Sequence, residues 1–260
     1  MSSSPLQDLK VIDLSTVLAG PSVGTFFAEL GARVIKVEHP QHGDITNTWR
    51  LKQESDLFKQ SAYYASVNHK KELVKLNLGL AADYRIFLNE LKDADILLMN
   101  FKKGDDQKLK VTPTELWKIK PDLLIGKITG FGSDNDRIAY DLILQAESGF
   151  MSMNGTAESG PVKMPVALID VLAAHQLKEG LLLALLQRQQ GKGQLVSVSL
   201  YDAAICSLAN QASNYLMAQQ VPQRIGSLHP NIAPYGEIFE TQDGQLLTFA
   251  IGSALHFDKL

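Results

Sequence analysis

The sequence has 260 residues, 45% of them hydrophobic and 20% charged, with a formal net charge of −3. This mildly acidic balance gives no electrostatic footprint for a nucleic-acid partner, and a single cysteine, Cys206, excludes an internal disulfide and any Cys-rich zinc site. The start Met1–Leu6 has neither the basic flank nor the apolar run of a signal peptide, and the longest apolar run, GLLLALL, is too short for a bilayer, so a cytoplasmic setting without a membrane partner is expected.

In chain order, KVIDL (Lys10–Leu14) reads as a first strand, STVLAGPSVG as a glycine-containing loop, TFFAELGA as a helix stopped by Gly31, and RVIKVE (Arg33–Glu38) as a second strand. Strand, helix and strand in about thirty residues make a βαβ unit, which builds parallel sheet. Residues 39–69 look irregular, with Trp49, Phe58, Tyr63 and Tyr64 interspersed. LVKLNL is an extended segment, and the three-and-four spacing of AADYRIFLNELKDA predicts a helix. DILLMN is a strand, TPTELWKIKP a helix with proline near its first turn, and DLLIGKITGFG a strand running into a glycine-rich loop. Val166–Ile169 reads as a short buried strand, Val171 onward as a helix, LVSVSL as a strand and Asp202 onward as a helix. Cys206 lies in the helix-like run AAICSLANQASNYLMAQ and reads as a small core residue. After Gln220 come turn signals, alternating strands around QDG and, at HFDKL, the first turn of a helix. The expected fold is α/β: a Rossmann-like parallel sheet with helices in a large domain, residues 1–220, followed by a linker and the start of a second, smaller domain, residues 221–260.

One carboxylate stands out. Asp170 sits where an apolar strand is predicted to meet an apolar helix, and a charge there is costly unless it is capped, paired or used. Either it caps the helix or it is a nucleophile held at a strand-to-helix turn; spacing leaves both readings open. Elsewhere the signals are weaker. Gly20 and Gly24 do not make G-x-G-x-x-G, although Glu38 ends the second strand where a dinucleotide fold puts its ribose-binding acid. EHPQH (Glu38, His39, His42) offers no helical face for a metal and reads as a surface loop, so no metal is expected. Without G-x-S-x-G a serine hydrolase has no anchor. NHKKEL and NFKKGDDQKLK read as solvated charged faces. Both nevertheless follow strand-like segments, at the end of a parallel sheet where ligands bind. There Asn100, Phe101, Lys102, Lys103 and Lys108 would suit a phosphorylated, adenine-bearing ligand.

Taken together, LQDLKVIDLSTVLAGPSVGTFFAELGARVIKVEHPQHGD, VNHKKELVKLNL, NFKKG, ITGFG, AYDLILQAESGFMS, VALIDVLAAHQLKEGLLLALLQRQQGKGQLVSVSLYDA and HPNIAPYG resemble, in order, the class III CoA-transferases (the CaiB/BaiF, formyl-CoA transferase-like family). The resemblance implies that Asp170 is the nucleophile: it attacks an acyl-CoA donor, becomes an aspartyl-CoA thioester, and passes CoA to a small carboxylic acid acceptor. It also implies that Val17, Leu18, His39, Leu76, Asn100, Phe101, Lys108 and Leu109 contact coenzyme A and that Tyr63 and Tyr140 lie near the acyl group. A homodimer, interlocked in full-length relatives, is the implied assembly. Three departures bear on specificity. Lys102-Lys103-Gly104 stands where Arg-Pro-Gly is common, Leu18 replaces the glutamine of formyl-CoA transferases, and Tyr140 replaces the histidine that related 2-methylacyl-CoA racemases carry before the aspartate equivalent to Asp141. The sequence ends inside the small domain of the family pattern, so a truncated chain that binds CoA without transferring it stands as one alternative, and a 2-methylacyl-CoA racemase-like isomerase as the other.

Overall fold

A computed structural model describes residues 4–55, 57–188 and 191–259; Met1–Ser3 and Leu260, parts of the segments discussed above, lie outside the described residues. The elements are β1 (Lys10–Asp13), α1 (Ala19–Glu29), β2 (Arg33–Glu38), a 3₁₀ turn (Ile45–Thr48), α2 (Ala62–Asn68), β3 (Glu72–Lys75), α3 (Ala81–Lys92), β4 (Ile96–Met99), α4 (Asp105–Lys108), α5 (Pro113–Ile119), β5 (Leu124–Thr129), α6 (Asp141–Glu147), α7 (Phe150–Met153), α8 (Leu168–Gln187), β6 (Gln194–Ser199), α9 (Leu200–Cys206), α10 (Asn210–Ala218), β7 (Tyr235–Glu240), β8 (Leu246–Ala250) and α11 (Ala254–Phe257).

They form two compact units. The first, Met1–Asp141 with Ile169–Ala204, holds a six-stranded sheet in the order β3-β2-β1-β4-β5-β6, with every neighbouring pair parallel. The chain direction across the sheet reverses between β1 and β4, so the loops leaving these two strands diverge and open a crevice at their carboxyl ends. Strand β4 is buried on both faces, as a central parallel strand must be. Leu97 and Met99 join Ile12, Phe87, Leu91, Leu116 and Ile125 in one apolar cluster. Leu98 points the other way, against Gly126 of β5. A Cβ at Gly126 would lie 2.8 Å from Leu98 and 3.1 Å from Leu181, so the missing side chain is what lets α8 lie close on the sheet. Helix α8 buries Ile169, Ala173, Ala174, Leu177, Leu181 and Ala184, the periodic stripe of a core-facing helix. The second unit, Leu142–Leu168 with Ile205–Leu260, contains the antiparallel β7–β8 hairpin. Within it, Asn231 exchanges side-chain hydrogen bonds with Asn214, and Arg224 donates to the Ser152 carbonyl at 2.9 Å. Residues 142–168 and 205–220 thus group with the hairpin rather than with the sheet.

Several local expectations are corrected. Val166–Ile169 is not a strand. The free edge of β5 is taken by β6, and the side chain of Gln145 occupies the backbone instead, accepting from Met164 N at 2.8 Å and donating to Val166 O at 3.4 Å. Val166 is accordingly 55% exposed, and α8 begins at Leu168. The glycine-containing segment is not all loop: α1 starts at Ala19, since Pro21 is tolerated in a first turn. Gly20 is where α1 passes the end of β1, and a Cβ there would collide with Ser15 at 2.3 Å. The run around Cys206 breaks between α9 and α10, where Ala209 has φ 49°, and Cys206 is exposed rather than in the core. Lys71, in the supposedly solvated NHKKEL face, has a side chain only 1% exposed and pairs with Asp13 at 2.9 Å. Glu38 is buried and accepts from the Tyr64 hydroxyl at 2.7 Å, an internal partner in place of a ribose. Among the described residues no helix is long and apolar enough to cross a membrane.

Candidate active site

A cleft of about 400 Å³ opens at the carboxyl ends of β1, β4 and β5, at the reversal point of the sheet. Its walls are the Thr16–Ala19 segment entering α1, the Asn100–Lys103 segment after β4, the Lys127–Gly130 end of β5, the Arg137–Asp141 approach to α6, and Asp170. All lie in the first unit.

Asp170 is in the first turn of α8, partly buried. Asp170 lies inside the first turn, and the hydrogen bond to the start of the helix comes from another carboxylate: Asp141 Oδ1 accepts from Ile169 N, 28 positions along the chain, at 2.7 Å. Asp141 therefore satisfies the helix N-terminus, and no hydrogen bond among the described residues engages the Asp170 carboxylate. Burial, and secondarily the negative charge of Asp141, raise the Asp170 pKa from the ordinary 3.8 to about 7. The N-terminal amides of α8 pull in the opposite direction but do not prevail. The Tyr63 hydroxyl is pushed to about 12, by its burial first and then by the charges of Asp170, Asp141 and Asp44, which marks it as a neighbour of the same carboxylate. Its ring meets Trp49 edge to face at 5.1 Å.

Of the residues singled out from sequence, Val17, Leu18, Asn100, Phe101, Tyr140 and Asp170 come together in the cleft wall. Tyr140 is 64% exposed there. The Asn100 amide is engaged internally, accepting from Thr16 N at 2.9 Å and donating to Thr16 O at 2.8 Å, so it braces one wall to the other. Leu76 belongs to the apolar cluster under the sheet and Leu109 packs against it. His39 stacks on His42 at 4.6 Å, and Lys108 pairs with Asp105 at 3.0 Å on an exposed surface. These four are not in the cleft wall.

The sequence reading missed a set of buried charges behind the cleft. Lys36, in mid-strand β2, is 1% exposed; its Nζ donates to the Ser15 carbonyl and lies 3.6 Å from Asp44 and 4.0 Å from Asp13. Asp13, held by Lys36, Lys71 and Ser15, stays below the usual carboxylate range although burial works against it. The signal was legible in RVIKVE: a lysine in an otherwise apolar parallel strand must have a partner. The basic end of the cleft, Lys102, Lys103, Lys127 and Arg137, was read only in part. Lys127 is paired with Asp106 at 3.2 Å, and the Arg137 guanidinium lies 4.1 Å over the Phe131 ring. Among the described residues no cluster of three or more His, Cys, Asp or Glu side chains is placed to hold a metal.

The chain is similar to known proteins over nearly its whole length. The family model for CoA-transferase family III matches residues 6–260. The chain is 35% identical over 263 residues to succinate–glutarate CoA-transferase of Agrobacterium fabrum, covering 98% of this chain and 65% of that protein. It is 36% identical over 244 residues to acetyl-CoA:oxalate CoA-transferase of Acetobacter aceti, covering 92% of this chain and 61% of that one. It therefore spans somewhat less than two thirds of the length of these relatives. A crystal structure of a CaiB/BaiF family protein from Brucella suis superposes with a TM-score of 0.86 at 34% identity, covering 99% of this chain and 69% of that one. With its reversed parallel sheet and its carboxylate-bearing cleft, the chain belongs to CoA-transferase family III.

Proposed function

We propose that this protein moves CoA from an acyl-CoA donor to a small carboxylic acid through a covalent intermediate on Asp170. The observation that carries the reading is the division of labour at the start of α8: Asp141 accepts from the first-turn amide of Ile169, and Asp170 lines the cleft with no hydrogen bond to its carboxylate among the described residues. A carboxylate suits this chemistry because its acyl derivatives are themselves activated, so one hard exchange becomes several easier ones. An Asp170 oxygen attacks the thioester carbonyl, the C–S bond breaks, and CoA leaves as thiolate. The thiolate adds to the Asp170 carbonyl of the mixed anhydride and releases the donor acid. The acceptor carboxylate attacks the resulting aspartyl-CoA thioester and again expels the thiolate, which then takes the acceptor acyl group and restores Asp170. Amides at the start of α8 favour the negative charge that develops in these steps. Val17, Leu18 and Phe101 supply apolar wall for the pantetheine and adenine parts, and Lys102 and Lys103 meet phosphate as point charges. Tyr63 and Tyr140 flank the acyl group. His39, Leu76, Lys108 and Leu109 lie outside the cleft lining, so contact with CoA there would have to come from parts of the molecule beyond the cleft, and Asn100 acts through its brace on Thr16. A homodimer is part of the same proposal.

The test is intact-protein mass spectrometry after brief exposure to a panel of acyl-CoAs, with and without hydroxylamine. A CoA adduct on the peptide containing Asp170, removed by hydroxylamine and missing in Asp170→Asn, is the expected result. Saturable CoA binding with no adduct from any donor would replace transfer by CoA binding alone.

A further inference from the structure

Asp44 is buried, and its two oxygens hold different segments: one the Val17 wall of the cleft, the other the turn that leads into α2. Oδ2 accepts from Val17 N at 3.1 Å and lies 3.6 Å from the Lys36 ammonium. Val17 has φ 73°, a conformation that a β-branched residue resists, so its backbone persists only because its surroundings impose it. Those surroundings are Asp44 on the Val17 amide, Asn100 on both polar atoms of the Thr16 backbone, and Lys36 on the Ser15 carbonyl. Oδ1 accepts from Thr46 N at 3.0 Å and Thr46 Oγ1 at 2.8 Å. The Thr46 carbonyl accepts from Ser61 Oγ at 2.7 Å, Ser61 N donates to Asn47 Oδ1 at 2.8 Å, and Ser61 Oγ accepts from Tyr64 N at 3.0 Å as the cap of α2. The second residue of that helix is Tyr63, the neighbour of Asp170.

We propose that Asp44 is a positioning residue for the Asp170 reaction, a single buried carboxylate that ties the strained Val17 wall of the cleft to the Tyr63-bearing helix behind it and so fixes where that wall stands relative to Asp170. The inference rests on the transfer reading. It assigns a role to two buried charges, Lys36 and Asp44, that touch no substrate. The Lys36 ammonium lies 3.6 Å from Asp44, and a carboxylate is the side chain of this size that can accept on both oxygens at once. Asparagine has one acceptor and one donor group, so in Asp44→Asn either the Val17 or the Thr46 amide meets an N–H facing an N–H.

The experiment measures hydrogen exchange and steady-state kinetics on the full chain carrying Asp44→Asn, Ser61→Ala, or Asp44→Asn with Val17→Gly. In Asp44→Asn, exchange is expected to speed up in peptides covering Ser15–Ala19 and Thr46–Tyr64, with β4 and β5 unchanged. There kcat should fall about 10- to 100-fold, more than KM rises, the scale of a reacting group misplaced by about 1 Å. Glycine at position 17 takes positive φ freely, so the double variant should recover about fivefold of the lost kcat. Ser61→Ala leaves the charges intact and should loosen only the α2 side. An Asp44→Asn protein with kcat within about twofold of wild type, or with exchange rising equally throughout the sheet, would overturn the proposal. If Asp44→Asn does not fold, Ser61→Ala decides: faster exchange in α2 with kcat unchanged overturns it, and a loss of kcat supports it. A wild-type protein that forms no Asp170 adduct defeats the transfer reading, and the exchange pattern still decides what Asp44 holds.

Discussion

Replacing Asp170 should make the protein more stable, and by an amount that depends on pH. In the unfolded chain Asp170 titrates near 3.8, and in the folded protein near 7. Between these values the folded state holds the proton more tightly, so stability falls as pH rises from about 4 to about 7. The displacement corresponds to about 4 kcal/mol at pH 8, taking 1.36 kcal/mol for each pH unit. Asp170 lies at a cleft wall and is only partly buried, and water at the cleft mouth relaxes around the charge, so about 2 kcal/mol is the working figure. Asparagine mimics the protonated acid in shape and lacks the charge. Asp170→Asn is therefore expected to raise Tm by roughly 4–8 °C at pH 8, on the scale for chains of this size, and by only about a quarter of that at pH 4.5. Parallel melts of the two proteins from pH 4.5 to 8.5 make the test, with urea unfolding at two pH values as a check on reversibility. A constant offset across the range, or a destabilised variant at pH 8, would refute the argument that burial and Asp141 hold Asp170 against ionisation.

The same carboxylate pair governs the pH profile of the chemistry. Adduct formation on Asp170 should rise with pH up to about 7 and level off above it, because the attacking form is ionised. Asp141→Asn keeps an oxygen for Ile169 N but removes the charge, so the midpoint should move down, read from adduct formation against pH. An unmoved midpoint would leave burial as the only cause. Tyr64→Phe removes the hydroxyl that meets Glu38 and leaves a buried acceptor unpaired, which should cost about 1–3 kcal/mol in urea unfolding. Equal stability would mean that water takes the place of the hydroxyl.

Much of the first unit was legible in the sequence, because its strands are continuous apolar runs and its helices carry apolar spacing of three and four. Those patterns report local geometry, and they yielded the parallel α/β sheet and the conspicuous position of Asp170. Where an apolar run was short, pattern failed: Val166–Ile169 has strand composition, but the edge it would pair with belongs to β6 and its backbone is held by Gln145. The decisive features of the site join residues far apart in the chain. Asp141 caps a helix that begins 27 residues after it, Asp44 reaches back to Val17, and Asn100 to Thr16. Sequence by itself determined the apolar runs that build the sheet and its helices and which chemistry-bearing groups exist. Only the tertiary structure decided which carboxylate caps, which braces and which is left facing the cleft, because a buried charge takes its role from its partners, and those partners are assembled by the sheet.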